Sequence, residues 1–439
     1  MNEFSIPYGL DTIECRLPSH VAVELLRRTT LPAPSDQVGE VEKALDHPLG
    51  PASLTPSRHA ERCVIAISDN TRPVPYASVL PPLLDHLEGK GGWSPSRVSL
   101  LVASGAHPPM DSKALAELLP GEIRRTHRVI CHDARDGDAL RKVGSTSRGT
   151  PVWINRHYLE ADVRIVVGNV DPHQFVGFTG GAKGAVIGLG GVATIQANHA
   201  MMDHPQARTG IDQGNPVRED IDEAGKLIGI DFVLNVVVND QHQIVRAFAG
   251  ALDVVSKQSR SFCLDLARAE YEELADIVIA SPGGYPKDIN LYQAQKALAH
   301  ASQIVRPGGT VILVAECRRG VGDSLYERWM TDASSLDEVV DRFRREGFQL
   351  GAHKAYLFAR DMTKAKVLLV SSLSNALAER LFFTPFPTLS AALDAALAEH
   401  DRPPRVAILP EAPTVVPVPC GAAQLSPPSL HRRDAVSGE

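Results

Sequence analysis

Eight short runs of aliphatic and β-branched residues, separated in many places by helix-like stretches, most constrain the fold of this chain. The runs are 64–67, 98–103, 163–167, 232–238, 277–280, 310–315, 367–370 and 406–409. Helical stretches are expected at 111–119, at 336–346 and at 389–399, where Thr388 or Ser390 can cap the N-terminus. Strands that alternate with helices favour mainly parallel sheets with both faces covered. Because Asn239-Asp240 between two runs indicates a hairpin, we predict an α/β fold with mainly parallel or mixed sheets flanked by helices.

The length of 439 residues suggests two domains. A polar helical stretch near residue 260 leads into a fresh strand, which places an N-terminal catalytic and cofactor-binding domain at 1–262. A C-terminal α/β domain would follow at 263–412. The remainder, 413–439, is rich in proline, serine and basic residues and is expected to be a mobile tail.

Charge and composition exclude several classes of protein. A formal net charge of -7 argues against a nucleic-acid binder, which usually has a basic surface. We see no apolar run of the roughly 18 residues that span a membrane, and no basic segment followed by an apolar one at the N-terminus. The six cysteines are scattered without a C-x-x-C pair, and Cys63 and Cys317 flank strand-like runs. We therefore expect core thiols in a reducing cytoplasm.

A glycine-rich segment, DPHQFVGFTGGAKGAVIGLGGVATIQANH, contains His173, Lys183 and His199. Glycine lets a backbone turn tightly and approach a ligand closely. An acid/base group, an amine and a potential metal ligand in one such segment indicate a bound cofactor with chemistry beside it. The alternative for His199 is a buried structural histidine.

Three polar motifs each follow directly after an expected strand, where ligands bind in open α/β sheets. The first, SDNTRPVP, holds Asp69 and Arg72, and the Arg72 guanidinium suits a carboxylate or phosphate. Asp69 could orient it, or the two could form a structural pair in a proline-braced turn. The second, ASGAHPPM, holds His107, and the third holds His173. The alternative for His107 is an ordinary surface histidine without a function. Three such loops can converge on one crevice.

The segment SPGGYPKDINLYQAQKAL in the second domain also follows an expected strand. Asp288 or Asn290 can cap a helix there. Lys296 then lies three residues after Gln293 and four after Tyr292, on one helical face and close to a helix N-terminus that favours anions. The alternative is a solvated helix face.

Two nucleotide-binding patterns fit poorly. Gly181-Ala182-Lys183-Gly184 lacks the Ser or Thr after lysine that a P-loop requires. The stretch from Gly188 to Ala193 matches G-x-G-x-x-A, and Asp212 could supply the later acidic residue, but no strand precedes it. A dinucleotide site is only weakly supported.

Taken in order, the motifs SDNTRP, GAHPP, DPHQFVGFTGGAKG, ANH and GGYPKDINLYQAQK resemble the nickel-dependent lactate racemase family, whose enzymes use a nickel-pincer nucleotide. The similarity covers about residues 10 to 320 and is strongest at 64–204 and 281–296. One departure is the run after Lys183, which lacks the proline of the K-x-x-x-P-G arrangement found in many members.

The resemblance implies roles for individual residues. Lys183 would hold the cofactor covalently through a thioamide, and His199 would be the protein ligand to nickel. His107 and His173 would be the paired acid/base groups. Further contacts to cofactor or substrate are implied for Asp69, Arg72, Gly180 and Gly181, and from the second domain for Tyr292, Gln293 and Lys296.

The implied activity is that of an isomerase, a racemase or epimerase of 2-hydroxy acids, with the site in the interdomain cleft. The cofactor would accept hydride from C2 and return it to the other face, while two histidines serve the two hydroxyl orientations. Lactate is the default substrate, with malate or an aldonate as alternatives, and cofactor-biosynthesis proteins are the expected partners. Two other interpretations stay open: a non-catalytic ligand-binding protein and an NAD-dependent 2-hydroxyacid dehydrogenase.

Overall fold

The structure is a computed structural model that describes residues 2–55 and 60–421. The strands are β1 (Asn2–Tyr8), β2 (Asp11–Leu17), β3 (Ala22–Leu25), β4 (Cys63–Ser68), β5 (Val98–Ala103), β6 (Arg128–Cys131), β7 (Leu140–Ser145), β8 (Pro151–Asn155), β9 (Val163–Asn169), β10 (Pro172–His173), β11 (Gly177–Phe178), β12 (Phe232–Val238), β13 (Ile244–Gly250), β14 (Arg268–Tyr271), β15 (Ala275–Ala280), β16 (Val305–Val314), β17 (Lys366–Val370), β18 (Thr384–Phe386), β19 (Arg405–Leu409) and β20 (Val416–Pro419). The α-helices are α1 (Gln37–Asp46), α2 (Tyr76–Asp85), α3 (Ser112–Leu118), α4 (Gly121–Thr126), α5 (Arg156–Leu159), α6 (Ala182–Val186), α7 (Val192–Ala200), α8 (Pro216–Ile228), α9 (Leu252–Ala267), α10 (Leu291–Ala301), α11 (Ser324–Asp332), α12 (Leu336–Glu346), α13 (His353–Met362), α14 (Asn375–Arg380) and α15 (Leu389–Ala398). Short 3-10 turns lie at Pro95–Arg97, Gly137–Ala139, Met201–Asp203 and Ala412–Thr414, and a π turn at His86–Lys90.

The predicted α/β fold is confirmed, and each of the eight aliphatic runs lies within or overlaps a strand. The helix boundaries follow from capping: Asp111 accepts the Ala114 amide at the start of α3, and Thr388 accepts the Ala391 amide at the start of α15. Thr388 rather than Ser390 is therefore the cap. No helix in the described parts of the chain combines the length and apolar content of a membrane span.

The first sheet has the order β13-β12-β9-β4-β5-β6. Its strands are parallel except β13, which returns antiparallel to β12 through the turn at Asn239. This is the predicted hairpin, and the side-chain oxygen of Asn239 closes it by accepting the amide of Gln243. Helices α1 and α2 cover one face of the sheet, and α6, α8 and α9 cover the other.

The second sheet has the order β18-β17-β16-β15-β19-β3 and is parallel throughout. Its edge strand β3 comes from the N-terminus and pairs with β19. The β1–β2 hairpin also belongs here, because Ile6 and Leu17 are buried with Leu389 and Leu393 of α15.

The division into 1–262 and 263–412 expected from the sequence therefore differs from the sheet topology, in which the first 25 residues belong with the C-terminal half. Hydrophobic periodicity predicts that a strand exists but not which distant strand it pairs with.

The segment predicted to be a mobile tail contains a strand. Val416 to Pro419 form β20, which runs parallel to β14. The residues from 422 to 439 lie outside the described part of the chain.

The two sheets are joined by one continuous apolar cluster. It includes Ile195 and Val217 from the first half of the chain and Trp329 and Tyr356 from the second. Polar contacts cross the same boundary, since Asp203 accepts hydrogen bonds from the Tyr356 hydroxyl at 2.5 Å and the Arg344 Nε at 3.1 Å. The two halves are therefore held together by both apolar packing and hydrogen bonds.

Candidate active site

The carboxyl ends of three neighbouring parallel strands, β9, β4 and β5, bring the three predicted loops to one edge of the first sheet. Asp69 and Arg72 follow β4, His107 follows β5, and His173 follows β9. This edge is where ligands bind in open α/β sheets. The loops therefore form one polar surface.

His107 is paired with a carboxylate from the neighbouring loop. Its Nδ1 lies 2.8 Å from Oδ2 of Asp69, while the other carboxylate oxygen accepts the amide and hydroxyl of Thr71. Burial would raise the pKa of Asp69, but the hydrogen bonds from His107 and Thr71 hold it below its ordinary value. The His107 ring itself is 52% exposed, so a ligand can reach its Nε2.

The suggestion that Asp69 orients the Arg72 guanidinium is wrong. The contact between the two residues is a backbone one, from the Arg72 amide to the Asp69 carbonyl at 3.2 Å. The Asp69 carboxylate is directed to His107 instead, because the tight turn after β4 points it toward the adjacent strand end. The Arg72 guanidinium makes no ion pair with the acidic side chains of residues 2–55 and 60–421, which leaves it available to an anionic ligand.

His173 lies on a short hairpin, β10–β11, held by a buried arginine. Its Nδ1 accepts the Val176 amide at 3.3 Å. Arg218 on α8, only 1% exposed, donates to the carbonyl oxygens of Val176 and Phe178. Burial, with the nearby Lys183 and Arg72 charges, lowers the pKa of His173 well below its ordinary value.

Lys183 lies in the first turn of α6, directly after two glycines with left-handed backbone. Gly180 has φ 79° and Gly181 has φ 59°. A Cβ at Gly180 would come within 2.7 Å of a Val170 methyl, and a Cβ at Gly181 within 2.4 Å of the Ser256 hydroxyl. Only glycine fits either position.

The amine of Lys183 forms neither a hydrogen bond nor an ion pair with any part of the chain that the structure describes. Burial, with the charges of Arg72 and Arg218, lowers its pKa well below the usual value for lysine. A lowered pKa lets the amine lose its proton more readily and act as a nucleophile, so the environment suits covalent attachment.

His199 is 9% exposed and lies near the end of α7. Its ring packs edge-on between Phe175, at 5.0 Å, and Phe348 of the second half, at 5.3 Å. Nδ1 lies 2.9 Å from Oδ1 of Asn198, whereas Nε2 has no protein partner among the described residues. Burial and the Lys183 charge lower the pKa of His199 to about 3, so the ring is neutral and able to bind a metal.

The described residues contain no cluster of three or more His, Cys, Asp or Glu side chains that could hold a metal unaided. A metal at His199 would thus take its other ligands from a bound group.

The second half contributes the N-terminal turns of α10. Asn290 caps this helix by accepting the Gln293 amide at 3.0 Å, whereas Asp288 accepts the amides of Gly9 and Glu316. Of the two predicted caps, Asn290 is therefore the correct one. The alternative of a solvated face is wrong, because α10 is buried or partly buried along its length.

Lys296 forms a cationic group with Arg72, whose charge also acts on Lys183. Its Nζ donates to Oε1 of Gln293 at 2.8 Å. Burial, with the Arg72 and Lys287 charges, lowers the pKa of Lys296 to about 8. Cations this close oppose one another, so an anionic ligand between them would relieve the repulsion.

The G-x-G-x-x-A stretch does not form a dinucleotide fingerprint. Gly188 and Gly190 connect helix α6 to helix α7, with no strand before them. Asp212, the residue considered for the ribose, forms an ion pair with Arg260 at 2.6 Å. Both facts count against an NAD-dependent enzyme.

Sequence reasoning missed the aromatic wall from the second half. Phe348 contacts both His199 and His353, with ring centroids 5.3 and 4.8 Å apart, and Tyr292 meets His353 edge-on at 6.0 Å. Sequence reasoning also missed Arg218. Its helix α8 begins at Asn215-Pro216, a strong capping signal that could have located the helix but not the loop it holds.

Comparisons with known proteins give consistent matches over most of the chain. A family model described as the lactate racemase N-terminal domain matches residues 8–210, and one described as the lactate racemase C-terminal domain matches residues 271–417. The chain is 30% identical to the lactate racemase of Thermoanaerobacterium thermosaccharolyticum over 95% of its own length and 99% of that protein. It is 31% identical to the lactate racemase of Lactiplantibacillus plantarum over 84% and 88% of the two chains.

Two solved structures are similar. The lactate racemase apoprotein from T. thermosaccharolyticum superposes with a TM-score of 0.88 at 29% identity and covers 95% of this chain and 100% of that one. A Thermotoga maritima protein gives a TM-score of 0.64 at 16% identity, covering 87% of this chain and 97% of the other, and this likeness shows a shared fold only.

Proposed function

The chain belongs to the lactate racemase family, and from that premise we propose that it racemises 2-hydroxy acids, with lactate as the first substrate to test. The observation that carries this proposal is the placement of His107 and His173 on the two loops that flank the β4 loop, with Lys183 and His199 close to His173. Membership makes the protein an isomerase of the racemase type, as the sequence motifs led us to expect.

The residues present fit the nickel-pincer nucleotide that the family implies. Within residues 2–55 and 60–421, the Lys183 amine has no partner and has a lowered pKa, which suits the covalent link, and Nε2 of His199 is open to nickel. Gly180 and Gly181 let the backbone come close to a group attached at Lys183. When bound, this group would supply a reversible acceptor for hydride from C2 of the substrate.

The two imidazoles would handle the hydroxyl proton. When neutral, His107 donates Nδ1–H to Asp69, which leaves a lone pair on Nε2 for the proton of one enantiomer. His173 lies on the other loop and would serve the opposite enantiomer. Removal of the hydroxyl proton is required because it lets C2 become a neutral keto carbon.

Arg72 and Lys296 would bind the substrate carboxylate, one from each half of the chain. Arg72 lies close enough to Lys296 for its charge to lower the pKa of that lysine, as expected for cations that face one cleft. Tyr292 and Gln293 lie one turn before Lys296 on α10. Phe175 and Phe348 pack against His199 and would keep water from the reacting carbon.

Maturation would require partner proteins that make and insert the cofactor. The cytoplasm remains the proposed location, since the described cysteines are free and Cys15, Cys63, Cys263 and Cys317 are buried.

The central experiment combines mass spectrometry with a chiral assay. Protein co-produced with the cofactor-making enzymes should carry added mass at Lys183 and one nickel per chain, and should racemise lactate or another hydroxy acid in a panel that includes malate and aldonates. His107→Ala and His173→Ala should fold and keep the modification but lose roughly 100- to 10,000-fold in turnover. A modified chain that is inactive on the whole panel would favour a ligand-binding protein, and activity dependent on added NAD would favour a dehydrogenase.

A further inference from the structure

A chain of buried hydrogen bonds lies behind His199. The side-chain amide of Asn198 donates to Oδ2 of Asp220 at 2.8 Å and to the Val217 carbonyl at 3.0 Å. The other oxygen of Asp220 accepts the Thr146 hydroxyl. Asn198, Asp220 and Thr146 are 0%, 1% and 5% exposed, so water is excluded from these bonds.

The direction of every bond in this network is determined. Thr146 Oγ accepts the Thr150 amide at 3.1 Å, so its own hydrogen is free for Asp220. The nitrogen of the Asn198 amide must face Asp220 and the Val217 carbonyl, because both can only accept. Its oxygen therefore faces His199, which must carry its hydrogen on Nδ1 to donate across the 2.9 Å contact.

We propose that Asp220, acting through the Asn198 amide, is the positioning residue that fixes the tautomer of His199 and keeps its Nε2 free for a metal. The inference rests on the proposed function, since it takes His199 as the metal ligand. Groups that accept the second N–H of a ligating histidine fix its ring, and their loss typically weakens metal binding about 10- to 100-fold. The network also ties α7 to α8 and to the β7–β8 hairpin.

A second buried Asn–His pair in the chain has the opposite donor and acceptor arrangement. His132 donates from Nε2 to the Gly190 carbonyl at 3.0 Å, and its Nδ1 accepts the Asn155 amide at 3.1 Å. The neutral ring of His132 therefore has the opposite tautomer. The Asn155–His132 pair provides a matched control, because it has the same residue types, is equally buried and contacts no proposed ligand.

The tautomer can be read directly in the unmodified full-length protein. Long-range ¹H–¹⁵N spectra of ¹⁵N-histidine-labelled protein, with His199 assigned through His199→Gln, should show Nδ1–H in the wild type. Asn198→Ala and Asp220→Ala should both shift His199 toward Nε2–H or a mixture, whereas Asn155→Ala should leave it unchanged. An unchanged Nδ1–H signal in Asn198→Ala or in Asp220→Ala would overturn the proposal.

A reciprocal exchange tests the same idea through metal retention. Asn198→Asp alone places two carboxylates face to face and should lose nickel about 10- to 100-fold faster to a chelator. Adding Asp220→Asn restores a donor opposite residue 198, although the Val217 carbonyl stays without its donor, so the double variant should retain nickel clearly longer than Asn198→Asp alone. Failure of the double variant to recover, with normal circular dichroism, would contradict the proposal, as would normal retention in Asn198→Asp.

The two measurements separate this inference from the proposed function. A wild-type chain that never acquires nickel would contradict the proposed function, whereas the tautomer in the unmodified protein tests the positioning role alone. If Asp220→Ala fails to fold, the reciprocal double variant decides the result.

Discussion

The imidazole of His107 and the carboxylate of Asp69 face each other across two adjacent strand ends, with Nδ1 and Oδ2 2.8 Å apart. The carboxylate is buried and its second oxygen is saturated by Thr71, so the pair is held rigidly. This arrangement orients the ring and stabilises its charged form during proton transfer.

Replacing Asp69 by Asn should therefore impair turnover more than binding. We expect kcat to fall roughly 100- to 10,000-fold, with KM changed only a few-fold, because the neutral amide cannot stabilise a protonated imidazole. Thr71→Val is the matched control, since it removes one hydrogen-bond donor to Asp69 but keeps the carboxylate charge. It should lower kcat about tenfold. A kcat for Asp69→Asn within threefold of wild type would show that His107 needs no carboxylate.

Substrate affinity should depend on the protonation of Lys296. Its pKa is lowered to about 8, so the ammonium is present below that pH and is lost above it. The KM for lactate should accordingly be constant at lower pH and rise as pH passes 8, approaching tenfold per pH unit as one proton is lost. In Lys296→Arg the charge persists, and the KM profile should be flat from pH 7 to 9.5. An identical upward bend in that variant would assign the titration to another group.

Attachment at Lys183 should alter His173. The Lys183 charge is one of the causes that lower the pKa of His173, after burial itself. Removing the charge in Lys183→Met should raise the pKa of His173 toward its usual value, as measured by NMR titration of the unmodified protein. Lys257→Met removes an exposed lysine elsewhere and should leave the titration of His173 in place. An unchanged His173 pKa in Lys183→Met would mean that burial and the other nearby charges set it.

Arg218 should be needed for stability as well as for the shape of the His173 loop. Arg218→Met leaves the carbonyl oxygens of Val176 and Phe178 without their donor and removes a buried charge from its 3.2 Å pair with Asp222. We expect a loss of about 3 kcal/mol in the free energy of unfolding, measured in urea. Arg148→Met removes an exposed pair with Glu219 on the same helix and should cost under about 1 kcal/mol. Equal losses in the two variants would contradict the role of Arg218 in holding the His173 loop.

Much of the site could be predicted because its residues follow strands. The aliphatic runs located β4, β5 and β9, and the polar residues directly after them had to meet once those strands proved to be neighbours. The capping residue Asn290 located α10 and with it Lys296. Such local signals require no knowledge of the rest of the chain.

Other parts of the site depend on contacts between distant segments. Nothing near Phe348 indicates that its ring packs against His199, and nothing near Asp220 indicates that it faces Asn198. The prediction that Asp69 contacts the Arg72 side chain was also wrong, since its carboxylate pairs with His107. A carboxylate that is close to an arginine in sequence need not be close to its guanidinium in space. These relationships arise from how α8, α12 and the sheets pack together.

The pairing of β3 with β19 has a consequence for biosynthesis. The strand β3 is translated before every other strand of its sheet, yet its partner β19 is translated after all of them. Throughout that interval β3 presents unpaired backbone groups that can join foreign strands. A ribosome-bound nascent chain halted before β19 should thus remain sensitive to protease at its amino terminus, and release of the full product should abolish that sensitivity.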